Sequence, residues 1–286
     1  MGLTTSKVLY IPQGSINKII AHLQDEKIDV SPLDAFLMRF VGMPQQGWIN
    51  IGTTHLTHAD FLVRLSKAKA AMVNVTLIPG ETTYIFLQQL AKQLDLDHER
   101  LLEAFKRQSS FKEGAFVPDT YKLPKGITEE AVISLLLKRS QRQMREWSEK
   151  IFGTYNEAKW YKYLTLASVI QKEAASEKEM PIVGSVIQNR INKGMKLQMD
   201  GALNYGKYSH IKITPKRIRN DKTAYNTYKY KGIPDHPVCN VSLPAIRAAI
   251  FPAKTDYLYF MKNKQGRHDF TRYYSTHIRN IKRATK

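Results

Sequence analysis

VLYIPQGSINKIIAHL, residues 8–23, decides how the fold is read, because the hydrophobic period changes within it. Val8 to Ile11 reads as a short strand and Pro12-Gln13-Gly14-Ser15 as a turn ending in a helix cap. Ile16, Ile19, Ile20 and Leu23 then share one face of an amphipathic helix. The plan recurs twice. Trp48 to Ile51 is strand-like, Gly52-Thr53-Thr54 turns, Thr57 caps, and Phe61, Leu62 and Leu65 form a helical face. Val73 to Ile78 alternates as a strand, Pro79-Gly80-Glu81-Thr82 turns, and Tyr84, Phe86, Leu87, Leu90 and Leu94 continue as a helix. Strand and helix units in series predict a small α+β region over roughly the first hundred residues.

Helices dominate further on. Leu101 to Phe111 is helical, residues 112–121 form a Gly-, Pro- and aromatic-rich loop, and Thr128-Glu129-Glu130 opens a charged helix to about Ile151. In the next segment, Leu164 to Gly206, Leu166, Ile170 and Glu173 fall at i, i+4 and i+7, with Ala167 and Ala174 alongside. A carboxylate is thus placed in an apolar helical stripe. Two readings stand side by side. Glu173 is a helix-end carboxylate that reaches solvent or a lysine, or a desolvated carboxyl that holds a proton near neutrality and serves as a general acid.

Ser176 and Glu179 have capping-box spacing for the following helix, with Pro181 near its start, which makes Glu177 and Glu179 poor catalytic candidates. Val183, Val186, Ile187 and Ile191 are its expected stripe, and Gly194 its stop. Lys207 to Lys222 reads as an exposed basic insertion. Tyr225-Asn226-Thr227-Tyr228 brings two phenols, an amide and a hydroxyl together, which suits a sugar surface or, equally, a strand edge. Leu243 to Phe251 reads as a helix and Tyr257 to Met261 as a strand before a basic tail. His268 and His277 lack a carboxylate in helical register, so structural histidines are expected and no metal.

With 286 residues the chain has room for two domains. Its 44 Lys+Arg against 25 Asp+Glu give +19, which suits a polyanionic or acidic partner. The single Cys239 excludes an intramolecular disulfide and reads as a small buried side chain. No run approaches the ~20 apolar residues of a membrane helix. Nucleotide, zinc-protease and serine-hydrolase motifs are missing, which leaves a carboxyl acid beside a glycan-friendly surface, or a basic binding module without chemistry.

The chain resembles the endolytic murein transglycosylases, the MltG (YceG-like) family. The resemblance is carried by Ile11-Pro12-x-Gly14, Glu113-Gly114 through Pro118-Asp119-Thr120-Tyr121, Leu166-Ala167-Ser168-Val169-Ile170-x-Lys172-Glu173 and Asn189-Arg190-Ile191. It continues in Gly194-Met195-x-Leu197-Gln198-x-Asp200, Tyr205-Gly206, Tyr225-Asn226-Thr227-Tyr228, Gly232-Ile233-Pro234, Pro252-Ala253-Lys254-Thr255, Tyr257-Leu258-Tyr259-Phe260 and His268-x-Phe270. It implies non-hydrolytic cleavage of the MurNAc–GlcNAc β-1,4 bond without a cofactor, with Glu173 as catalytic acid and then base. Gln198, Asp200, Tyr205, Tyr225, Asn226 and Thr227 are the implied substrate-binding residues. It further implies an N-terminal region, residues 1–105, with a LysM-like glycan-binding subdomain, before a mixed α/β catalytic domain, residues 106–286. Peptidoglycan strands are the implied substrate and peptidoglycan synthases possible partners, with no nucleic acid. The location is the periplasmic side of a bacterial inner membrane, reached through an N-terminal membrane helix that this sequence lacks. A hydrolase of the same bond, with Asp200 activating water, and a noncatalytic cell-wall or nucleic-acid binding module are the alternatives.

Overall fold

The computed structural model describes residues 2–285. They form two compact units. The first unit runs up to Val75 and takes in Gln93–Asp95 and Tyr121–Thr128. Its elements are β1 (Gly2–Thr4), β2 (Val8–Ile11), α1 (Ile16–Asp25), α2 (Pro32–Val41), β3 (Gly47–Asn50), β4 (His55–Thr57), α3 (His58–Lys67), β5 (Lys69–Ala70) and β6 (Met72–Thr76).

The predicted strand, turn and helix units are present. Ser15 caps α1 by accepting from Lys18 N–H, and Thr57 caps α3 by accepting from Asp60 N–H. Antiparallel β2 and β3 set Leu9 opposite Ile49, so both side chains reach the same buried face, where Ile19, Leu23, Phe61 and Leu65 join them. The sequence reading passed over α2. Its start is written in Ser31-Pro32: the Asp34 carboxylate accepts from the Ser31 N–H at 2.7 Å and its hydroxyl at 3.0 Å, with proline in the first turn. The helix turns only Ala35, Met38 and Asp34 inward and leaves Leu33, Phe36, Leu37 and Phe40 exposed, so its apolar stripe is not a core stripe.

The second unit comprises Thr76–Lys92, Leu96–Thr120 and the described residues from Glu129 onward. It contains most of α4 (Thr83–Leu94), with α5 (His98–Gln108), α6 (Glu129–Phe152), α7 (Glu157–Glu173), α8 (Met180–Asn192), α9 (Pro215–Asn220), α10 (Leu243–Ile250), β8 (Tyr259–Lys262), β9 (His268–Thr271) and α11 (Tyr274–Thr285). Between α5 and α6 the chain rejoins the first unit, where β7 (Thr120–Pro124) pairs with β6. The first stretch of the first unit ends at Val75, and most of α4 and all of α5 group with the later helices. The basic tail is itself helical, as α11.

The core of this unit gathers around α7, whose Leu164, Ala167, Val169 and Ile170 are fully buried. Small residues let its neighbours come close. A Cβ on Gly184 of α8 would lie 2.7 Å from the Ala248 carbonyl of α10, so only glycine permits this crossing. Gln171 ties α7 itself to α10, accepting at Oε1 from the Ser242 N–H at 3.1 Å and the Ser242 hydroxyl at 2.8 Å, at the cap of α10. Cys239 is buried as expected, its Sγ 3.7 Å from the Ser168 carbonyl, and burial pushes its thiol pKa up. Among the described residues no helix is long and apolar enough to cross a membrane.

Candidate active site

Helix α7 begins at Asn156, whose side chain accepts from Lys159 N–H at 2.9 Å, and ends where Ala174 turns extended. Glu173 is therefore the last helical residue. The apolar register carries its side chain toward the core, and the helix end opens part of it to a cleft. The carboxyl is half-buried, and its Oε1 accepts from the Gly201 N–H at 2.7 Å. Burial pushes its pKa up to about 7, with the neighbouring Asp200 charge adding in the same direction. The Gly201 N–H and the Arg190 guanidinium pull the other way and do not prevail. Its place at the negative end of the α7 dipole also favours the neutral acid.

Gly201 lies in a 3₁₀ turn, Asp200–Leu203, that presses against the end of α7. A Cβ there would come within 2.6 Å of Lys172 Cβ and 2.9 Å of Glu173 Oε1. Glycine is thus the condition for a backbone N–H to reach the carboxyl. Because Oε1 takes that N–H, the proton of the neutral acid is left to Oε2, which has no hydrogen-bond partner among the described residues.

The cleft has a volume of about 460 Å³ and is lined by Glu173, Arg190, Gln198, Asp200, Tyr228, Tyr259, Phe260, Met261, Lys262, His268, Tyr274 and His277. Arg190 is buried, donates through Nε to the Leu258 carbonyl at 2.6 Å and through a second nitrogen to the Leu197 carbonyl, and lies over the Tyr259 ring. Tyr228 donates its hydroxyl to Asp200 Oδ1 at 2.8 Å, and burial raises the phenol pKa. Gln198 holds the left-handed backbone at φ 49°, fixed by its N–H on the Thr227 carbonyl at 3.1 Å. A non-glycine residue at positive φ beside a carboxyl is the kind of local strain that collects in functional clefts.

The six polar residues predicted from the resemblance divide into three groups. Gln198 and Asp200 line the cleft with Glu173. Tyr205 and Tyr225 stack on one another at 4.3 Å and 13°, apart from that lining, with their hydroxyls on Asp221 and the Pro237 carbonyl. Asn226 and Thr227 are fully buried braces. Asn226 donates to the Ile218 and Asp221 carbonyls, both at 2.8 Å, and Thr227 Oγ1 accepts from the Met199 N–H at 2.9 Å. The 225–228 segment is a turn and not a strand edge.

Two expectations for α8 are corrected. Glu179 is not half of a capping box, and no side chain caps the helix. Its carboxylate instead accepts from the His268 ring at 2.7 Å, the His268 N–H at 3.0 Å and the Ala175 N–H at 3.2 Å. That pair, with side chains 9% and 11% exposed, ties β9 to the loop after Glu173. Although burial opposes ionisation, the hydrogen bonds from His268 and Ala175 hold the Glu179 carboxyl below its usual range. The buried stripe ends on Arg190 and not on Ile191, which is exposed. Counting Val183, Val186, Ile187 and Arg190 at i, i+3, i+4 and i+7 was the available signal for this buried cation of the cleft. Gly194 stops α8 as expected, at φ 64°, with the Met195 N–H bonded to the Arg190 carbonyl at 2.9 Å.

A second carboxyl resembles Glu173 in pKa and differs in surroundings. Glu113 is buried, and burial also pushes it up to about 7. It accepts from the Thr83 hydroxyl at 2.5 Å, from the Thr83 N–H at 3.0 and 3.1 Å, and from the Gly114 N–H at 2.9 Å. With both oxygens engaged and no lining position in the cleft, it fastens the start of α4.

The profile of the YceG-like family matches residues 9–283. The endolytic murein transglycosylase of Bacillus subtilis is 28% identical over 252 residues, covering 82% of this chain and 68% of that protein. Its namesake in Streptococcus pneumoniae D39 is 30% identical over 178 residues, covering 59% of this chain and 31% of that protein. In structure, a YceG-like protein of Listeria monocytogenes shares the fold with a TM-score of 0.62 at 24% identity, over 96% of this chain and 99% of that one. Matched to the family profile over nearly its whole length, the chain belongs to the YceG-like family.

Proposed function

We propose that this chain is a lytic transglycosylase that cuts murein strands internally, with Glu173 as its acid and then its base. The reading rests above all on one observation: a carboxyl with a pKa near 7, positioned by the Gly201 N–H at the edge of an open polar cleft. The names of the relatives supply the substrate class.

Glu173 gives the proton on Oε2 to the glycosidic oxygen, and the C1–O4 bond breaks with GlcNAc leaving as its 4-hydroxyl. Positive charge builds on the MurNAc ring, and the new carboxylate is stabilised by the Gly201 N–H and by Arg190. The MurNAc C6 hydroxyl then closes on C1 and returns its proton to Glu173, leaving a 1,6-anhydro end. One carboxyl serves both steps, and no water is activated.

The first unit is the glycan-binding, LysM-like part, and the protein works on the outer side of a bacterial inner membrane, where synthases supply new strands. A hydrolytic second reading is favoured by Asp200, a carboxylate in the same cleft. The ends decide between them. Mass spectrometry of digested murein is expected to find anhydro-MurNAc ends, lighter by one water, whereas reducing MurNAc ends establish the hydrolase.

A further inference from the structure

The chain leaves the cleft at Asp200 and returns to it at Tyr228, and the segment from Lys207 through this return to Lys231 is strongly basic. Residues 207–231 carry eight Lys and Arg against the single acid Asp221, so +7 of the net +19 lies in this short stretch. Arg217 and Asp221 are used internally, Arg217 over the Tyr208 ring at 4.4 Å and Asp221 as acceptor of the Tyr205 hydroxyl at 3.0 Å. Lys207, Lys212, Lys216, Arg219, Lys222 and Lys231 are exposed and in no ion pair among the described residues.

This flap is built rather than loose. Thr214 caps α9, Asn226 holds the Ile218 and Asp221 carbonyls, and the Tyr230 hydroxyl donates to the Lys222 carbonyl at 3.1 Å. Further contacts fasten its near end: His210 to Glu81 at 2.7 Å, the Thr82 hydroxyl to the Gly206 carbonyl at 2.8 Å, and Lys172 to the Ser209 hydroxyl at 3.1 Å. Both roots touch the cleft, through Gly201 on Glu173 and Tyr228 on Asp200. Six exposed cations outside any ion pair thus lie on a pinned segment whose roots meet the cleft, and like charges so gathered favour an anionic ligand.

Resting on the murein reading above, we propose that the flap binds free carboxylates on the peptide branches of the strand in the cleft, so that the enzyme selects strands whose branches retain them. An anionic lipid surface fits less well. A membrane-lying face sets its cations beside a row of apolar side chains, and the large exposed apolar residues of this flap are only Ile211 and Tyr230.

The test compares murein strands in native form with the same strands after carbodiimide amidation of their carboxyl groups. The chain and its Lys212→Glu, Lys216→Glu, Arg219→Glu triple variant are assayed on both, with circular dichroism melts to check folding. For the unsubstituted chain, KM is expected to be about tenfold lower on native strands, the size that three rim charge pairs supply, and added salt narrows the difference. The variant is expected to lose that difference. Equal KM on native and amidated strands, or a variant that keeps the preference, overturns the proposal. So does flap-dependent binding to phosphatidylglycerol vesicles by a chain that does not distinguish the strands. If neither strand is cut, the murein-cleaving reading has failed separately. Equilibrium binding of the two strand forms then decides the charge preference by the same criterion.

Discussion

Glu173 and Glu113 are both raised to about 7 by burial, and the donors around them separate their roles. Glu113 has both oxygens occupied by Thr83 and Gly114, whereas Glu173 has one N–H partner and an oxygen open to the cleft. Over the interval from the ordinary 4.5 to about 7, each carboxyl holds a proton in the folded chain that it has lost in the unfolded one. The folded state therefore binds more protons, and stability falls as pH rises through that interval. Glu113→Gln keeps an acceptor for the two N–H groups and removes the titration. Its melting temperature is expected to change less between pH 5 and pH 8 than that of the unsubstituted chain, measured by circular dichroism. Gly201→Ala tests the close approach. The added methyl meets Glu173 Oε1 and Lys172 Cβ inside contact distance, so turnover is expected to drop at least tenfold with stability lowered by about 1–3 kcal/mol. Periodicity alone made Glu173 conspicuous. It did not reveal that Gly201, far along the chain, supplies the hydrogen bond.

At the scale of elements, what could be read depended on whether the determinants were local. The caps Ser15 and Thr57, the β2 strand and the Gly194 stop are set by neighbouring residues and were legible. The Glu179 pairing was not, because its partner His268 is brought in by β9 from the far end of the chain and competes successfully with the local cap. Arg190 was missed for a related reason, with Ile191 expected in its place on the stripe. A guanidinium belongs in an apolar stripe only when carbonyls such as those of Leu197 and Leu258 wait for it, and their arrival is a matter of tertiary folding. Tyr225-Asn226-Thr227-Tyr228 had the composition of a sugar surface, yet its amide and threonine face inward because the turn has its own carbonyls and N–H groups to satisfy. Glu179→Ala leaves the His268 ring and two backbone N–H groups without their acceptor. Urea denaturation is expected to show a loss of about 3 kcal/mol, and a loss below about 1 kcal/mol contradicts a structural pairing.

At the scale of the molecule, each unit has its own core. Leu3, Ile11, Leu23, Ile49 and Phe61 belong to the first, and Trp160, Leu164, Ile170, Val186 and Ile246 to the second. Phe61→Ala empties a fully buried site in the first core and is expected to lower that unit's stability by about 3–5 kcal/mol. In differential scanning calorimetry this shifts one transition downward and leaves the other in place; a uniform shift contradicts separate cores. The predicted α+β character of the early chain holds, and most of α4 groups with later helices. The central claim concerns a single carboxyl in the second unit. Its most direct test is digestion of purified murein by the unsubstituted chain and by Glu173→Gln, with the released ends identified by mass spectrometry. The unsubstituted chain is expected to release anhydro-MurNAc ends, and the folded Glu173→Gln chain to bind strands while releasing them at least ~10²-fold more slowly; unimpaired cutting by Glu173→Gln contradicts the account.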